Sequence, residues 1–148
     1  MIPRIWILVT DVSRARLFAQ EGRHVDEVGD FIHAEGSLPV RALVSDQQGR
    51  RGTGLFDRPG LSQSTDPKEV EAWKFAQKLA GMLKHGLDVN EYDSLILVAP
   101  PHFLGILRKT LDHQVAKRLT TSLDKNFIDL KPPKLLKQVL ALETAAHA

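Results

Sequence analysis

Two short, unbroken apolar runs, Ile5-Trp6-Ile7-Leu8-Val9 and Leu95-Ile96-Leu97-Val98-Ala99, constrain the fold of this chain more than any other feature. Each has the length of a strand and no polar face, so each needs cover on both sides of a sheet. Between them Ala72, Phe75, Ala76, Leu79, Met82 and Leu83 recur at helical spacing. A buried strand, a long crossover containing a helix and a second buried strand imply a parallel pair.

The flanking residues extend this nucleus. Arg14 to Gln20 alternates, with Ala15, Leu17 and Ala19 facing one way and Arg14, Arg16 and Phe18 the other. Asp11-Val12-Ser13 suits a tight connection in which Asp11 bonds nearby amides, and Glu21-Gly22-Arg23 suits the next turn, so strands at 5–10, 14–20 and 25–33 form an antiparallel meander. The helix begins at Asp66 as cap, with Pro67 in its first position and Glu69 reaching back as in a capping box, and it ends near Gly86. Its opposite face, Glu71, Lys74, Lys78, Lys84 and His85, reads as solvated.

Pro100-Pro101 opens a second helix with Phe103, Leu104, Leu107 and Leu111 on one side, and Arg118 to Leu123 forms a last strand. Pro132-Pro133 starts a terminal helix using Leu135, Leu136, Val139 and Leu140, and Glu143 to Ala148 forms a frayed tail. The expected architecture is an α/β fold with a mixed five-stranded sheet, a three-strand antiparallel meander plus parallel strands, and flanking helices, ribonuclease-H-like in type.

Composition narrows the function classes. With 148 residues, 43% of them hydrophobic, the chain suits one domain over residues 1–148. Its 20 basic and 18 acidic side chains leave a net charge of +2, too small for a broad cationic surface. The absence of cysteine excludes disulfides, thiolate zinc sites and cysteine nucleophiles, and fits a reducing compartment. The first apolar run ends at Asp11, too short for a signal peptide, and no run approaches the roughly 20 residues of a membrane-spanning helix. A cytoplasmic protein is the expectation.

Residues 34–65 hold no sustained periodicity but many glycines, including Gly36, Gly49, Gly52, Gly54 and Gly60, with a short extended piece at Val40 to Val44. A loop longer than the ~12–15 residues common in compact domains is usually functional, disordered or involved in assembly. Within it, Gln48, Gly49, Arg50, Arg51 and Gly52 could set backbone amides and two guanidinium groups around an anion or RNA, although a flexible or partner-ordered loop is the more common outcome for such a stretch. The Lys-Ser/Thr ending of a P-loop is missing. Arg14 and Arg16 either join Arg50 and Arg51 in a basic patch or pair with Asp26, Glu27 and Asp30 on the third strand.

His102 stands beyond the carboxyl end of a parallel strand, where α/β proteins commonly place ligands, although a histidine beside Phe103 in a first helical turn is more often structural. A two-metal nuclease would need a carboxylate where the fourth strand instead ends in Ala99-Pro100-Pro101-His102. His24, His33, His85, His113 and His147 have no ligand spacing, and no Gly-x-Ser-x-Gly elbow exists. No catalytic residue, metal or cofactor is expected.

Several blocks in order resemble the bacterial protein family described as required for attachment to host cells. They are Trp6 to Phe18, Leu43-Val44-Ser45-Asp46, Asp66-Pro67-Lys68-Glu69, Leu97 to Gly105 and Leu123-Asp124-Lys125, and the resemblance runs from about residue 5 to residue 142. That family is in turn remotely similar to the middle domain of archaeal and eukaryotic peptide-chain release factors, whose long loop carries Gly-Gly-Gln. Here the corresponding stretch, Gln47-Gln48-Gly49-Arg50-Arg51-Gly52-Thr53-Gly54, has no glutamine after a glycine pair, which speaks against hydrolysis of peptidyl-tRNA.

The resemblance implies a protein affecting attachment through an unknown protein partner. The alternative is a ribosome- or tRNA-associated protein that uses 47–54 as its contact element. The long loop, as an arm between copies, favours a homodimer.

Overall fold

The computed structural model describes residues 2–33 and 66–147. The extended piece at 40–44 and the glycine- and arginine-rich stretch at 47–54 lie outside the described residues. Five strands, β1 (Arg4–Thr10), β2 (Arg14–Glu21), β3 (His24–Ile32), β4 (Ser94–Val98) and β5 (Leu119–Leu123), form one sheet in the order β3-β2-β1-β4-β5. β1 pairs antiparallel with β2 and parallel with β4, with Ile5 opposite Ser94 and Val9 opposite Val98. The expected parallel pair is therefore the centre of the sheet. β2 also pairs antiparallel with β3, and β4 pairs parallel with β5, completing a mixed α/β sheet.

The central strands are apolar throughout because both faces are covered. On one face Trp6, Leu8, Leu17, Leu95 and Leu97 meet Phe75, Leu79 and Leu83 of α1 (Pro67–Asp88), Phe103 and Leu107 of α2 (Pro101–Thr110) and Val115 of α3 (His113–Arg118). On the other, Ile7, Val9, Phe18, Ile96 and Val98 meet Ile128 and then Leu135 and Val139 of α4 (Pro132–His147). Burying a side chain such as Leu or Phe contributes about 1.5–3 kcal/mol, so these two layers dominate stability.

Local chemistry places the connections. Asp11 Oδ1 accepts the amide hydrogens of Ser13 and Arg14, each at 2.8 Å, which closes the β1–β2 turn as its sequence suggests. Gly22, at φ +60°, makes the β2–β3 turn without a Cβ clash. Asp66 caps α1 by accepting from the Lys68 amide at 2.9 Å.

Three expectations are corrected. Gly86 does not end α1 but lies two residues inside it, where any Cβ would overlap the Trp6 ring; the helix ends at Asp88, capped by Val89 and followed by Asn90 at φ +60°. A short helix, α3, precedes β5, started by Asp112 accepting from the Gln114 amide at 2.9 Å. The terminal helix α4 runs to His147. Leu140 of that helix faces solvent, while Leu142 packs onto the core.

A candidate binding edge at the carboxyl ends of the strands

β1, β4 and β5 run parallel, and β3, antiparallel to β2, runs the same way, so all four end at one edge of the sheet. The chain leaves β3 there at His33 and returns at Asp66, the cap of α1, and α2 also starts there after β4. The edge therefore gathers the Asp11 turn, His33, the first turns of α1 and the Pro100-Pro101-His102 start of α2. Ligands of open α/β sheets commonly occupy this side.

Two histidine–carboxylate pairs fasten the first turns of α1 to its neighbours. His102 Nε2 lies 2.7 Å from Glu69 Oε2, joining α1 to α2, with the histidine side chain 71% exposed and the glutamate 25%. Glu69 thus engages His102, where the sequence suggests a capping-box bond back to Asp66. The second pair is enclosed: His33 Nε2 lies 2.8 Å from Glu71 Oε2, and the two side chains are only 3% and 8% exposed. Its surroundings are also charged, with Lys74 Nζ 3.1 Å from Glu71 Oε1 and Lys78 Nζ 3.5 Å from His33 Nδ1.

An aromatic stack supports this arrangement. The His33 ring lies against Phe75 with centroids 5.1 Å apart, and Phe75 lies against Phe103 at 5.9 Å. Burying a carboxylate alone costs several kcal/mol, and here the imidazole and a lysine ammonium offset that cost. Glu71 was expected on the solvated face of α1, and its burial is a correction. The signal is its place four residues before Phe75, which sets it on the same stripe as a core residue.

The two arginines of β2 take up the acidic third strand. Arg14 Nε and Nη2 donate to Asp30 at 3.1 and 2.9 Å, and Arg16 Nε and Nη2 donate to Glu27 at 3.1 and 2.9 Å. The Arg14 guanidinium holds the Asp30 carboxyl below its usual range, chiefly through that hydrogen bond. Arg16 is buried, and its Nη1 donates to the carbonyls of Ile128 and Leu130 at 3.0 and 2.6 Å. The Phe18 ring lies beneath its guanidinium, 5.1 Å away. Of the residues singled out from the sequence, the structure therefore brings His102 to the edge with Glu69. It pairs Arg14 and Arg16 with β3, and Gln48, Gly49, Arg50, Arg51 and Gly52 lie outside the described residues.

Among the described residues no three His, Asp or Glu side chains group as metal ligands. A cleft of about 430 Å³ lined by Leu87, Asp88, Asn90, Gln114, Lys117 and Arg118 lies at the opposite edge, where the parallel strands begin. No helix among the described residues is long and apolar enough to cross a membrane.

A family model described as "Protein required for attachment to host cells" matches residues 6–139. No curated protein matches the chain. Among solved structures, the chain is similar to an archaeal translation termination factor, aRF1, with 13% identity and a TM-score of 0.45 over 80% of this chain and 29% of that one. It is also similar to a structure described as an archaeal protein, with 10% identity and a TM-score of 0.47 over 82% of this chain and 30% of that one. The chain thus spans less than a third of either neighbour.

Proposed function

Since the chain belongs to the family of proteins required for attachment to host cells, we propose that it is a cytoplasmic, nonenzymatic binding protein whose protein partner docks at the carboxyl edge of the sheet. One observation carries this reading: the exposed Glu69–His102 pair bridges two helix starts at the edge where β3 ends and α1 begins. Ligands of open α/β sheets commonly occupy the carboxyl ends of the strands. Binding is favoured over catalysis because the described polar groups of the edge are bonded to one another, Glu71 to His33 and Lys74, and Asp11 to its own turn.

The test is complementation of cells lacking the protein. Glu69→Ala/His102→Ala is expected to reduce attachment to host cells while the purified variant keeps its unfolding midpoint. Attachment at the wild-type level by that variant overturns the reading.

A second reading rests on the sequence Gly49-Arg50-Arg51-Gly52, two arginines between glycines. It makes the chain a ribosome- or tRNA-associated protein held by phosphate contacts that salt weakens. Co-sedimentation with ribosomes at low salt, lost in Arg50→Ala/Arg51→Ala, is its expected result; no pelleting at low salt rejects it.

A further inference from the structure

The cleft at the opposite edge of the sheet has a one-sided hydrogen-bonding inventory. It forms where the carboxyl end of α1 meets α3, and Leu87, Asp88, Asn90, Gln114, Lys117 and Arg118 line it. The acceptors that would repel an anion there are engaged from within the fold. The last turn of α1 closes on itself, with the amides of Val89, Asn90 and Glu91 donating to the carbonyls of His85, Leu87 and Gly86 at 3.1, 3.0 and 2.9 Å. The Arg4 guanidinium donates to the Asn90 carbonyl. Lys84 Nζ donates to Asp88 Oδ1 at 2.7 Å and to Gln114 Oε1 at 3.3 Å, so one ammonium serves the carboxylate and the amide oxygen together.

The donors are largely unspent. Lys84 can only donate, so the Gln114 oxygen faces it and the NH2 group of that amide is left uncommitted. Lys117 Nζ has no hydrogen bond or ion pair among the described residues. Arg118 uses one N–H on the Asp93 carbonyl at 3.4 Å, which anchors the guanidinium and leaves the rest of its fork. With Asp88 balanced by Lys84, the lining keeps the positive charges of Lys117 and Arg118. Elsewhere the cations are matched, Arg14 by Asp30, Arg16 by Glu27 and Lys74 by Glu71.

We propose that this cleft binds a small multivalent oxyanion, a phosphorylated or polycarboxylate molecule of metabolite size. Its volume of about 430 Å³ falls within the range of small-molecule pockets. The Arg118 fork suits two oxygens of one phosphate or carboxylate, and the Lys117 ammonium adds a point charge beside it. The amides of Gln114 and Asn90 donate to the remaining oxygens and set the ligand's orientation, while Leu87 gives its carbon body an apolar wall. The site lies at the edge opposite the docking surface and does not rest on that reading.

Pyrophosphate and citrate are the probes, titrated separately into ¹⁵N-labelled protein in a phosphate-free buffer. Saturable shifts of the Asn90 and Gln114 side-chain amides, with the backbone amides of Lys117 and Arg118, are expected for at least one probe. The tighter of the two assigns phosphate or carboxylate chemistry. Lys117→Glu, a change at an exposed side chain without partners, is expected to weaken binding by about tenfold or more. Lys137→Glu alters the net charge equally but lies on α4, on the other face of the sheet, and is expected to hold the affinity within about twofold because distant exposed charges are screened. The same spectra report whether each variant is folded. No saturable shift with either probe up to about 10 mM, an unchanged affinity in Lys117→Glu, or an equal loss in both variants overturns the proposal.

Discussion

Arg16 shows how one side chain can be read correctly for charge and incompletely for role. Its alternation with Leu17 places it on the opposite strand face, and acidic residues on β3 offered partners, so pairing with Glu27 was legible. What strand periodicity cannot reveal is a contact across more than a hundred positions, the capture of the Ile128 and Leu130 carbonyls by Nη1. Arg16→Ala would leave the buried Ile128 carbonyl, the partly buried Leu130 carbonyl and Glu27 without this donor, at a cost of about 2–4 kcal/mol measurable by urea unfolding. Arg16→Lys should recover less than half, because a single ammonium cannot make the bidentate fork and reach two carbonyls.

Tyr92 gives a second expectation at this scale. Its hydroxyl donates to the Leu83 carbonyl at 2.7 Å while its ring stacks on Trp6, and burial pushes the phenol up to about 12. The folded state therefore prefers the protonated phenol, and the associated stability is fully present below the ordinary value near 10. It is lost as pH rises through that value toward 12. Alkaline unfolding of Tyr92→Phe should lack this component, and an identical pH dependence in the two proteins would contradict it.

At the scale of elements, what the sequence made legible follows from periodicity and punctuation. The unbroken runs at β1 and β4, the alternation of β2 and the Asp66-Pro67 start of α1 each have a local cause, and each element lies where that cause puts it. The failures share another cause. Gly86 looks like a helix stop, yet its missing side chain admits the Trp6 ring from a strand distant in sequence. Gly86→Ala should destabilise by about 1–3 kcal/mol through overpacking, although alanine is the better helix former, and a gain in thermal midpoint would refute this assignment. The buried His33–Glu71 pair was hidden similarly, because its partners meet only when β3 is docked onto α1.

For the whole molecule, topology makes the proposed surface. One edge collects the ends of four strands and the starts of α1 and α2. His102 could be assigned to that edge from sequence because it follows a buried strand directly, whereas Glu69, its partner, could not be brought there without the tertiary fold. The opposite edge, with Lys117 and Arg118 beside the cleft under α3, provides an internal comparison. The most direct test is photo-crosslinking in living cells, with a photoreactive amino acid in place of His102 and, separately, of Lys117. The docking account expects one discrete protein adduct from position 102 and none from 117; adducts from 117 alone, or equal capture at both, would contradict it.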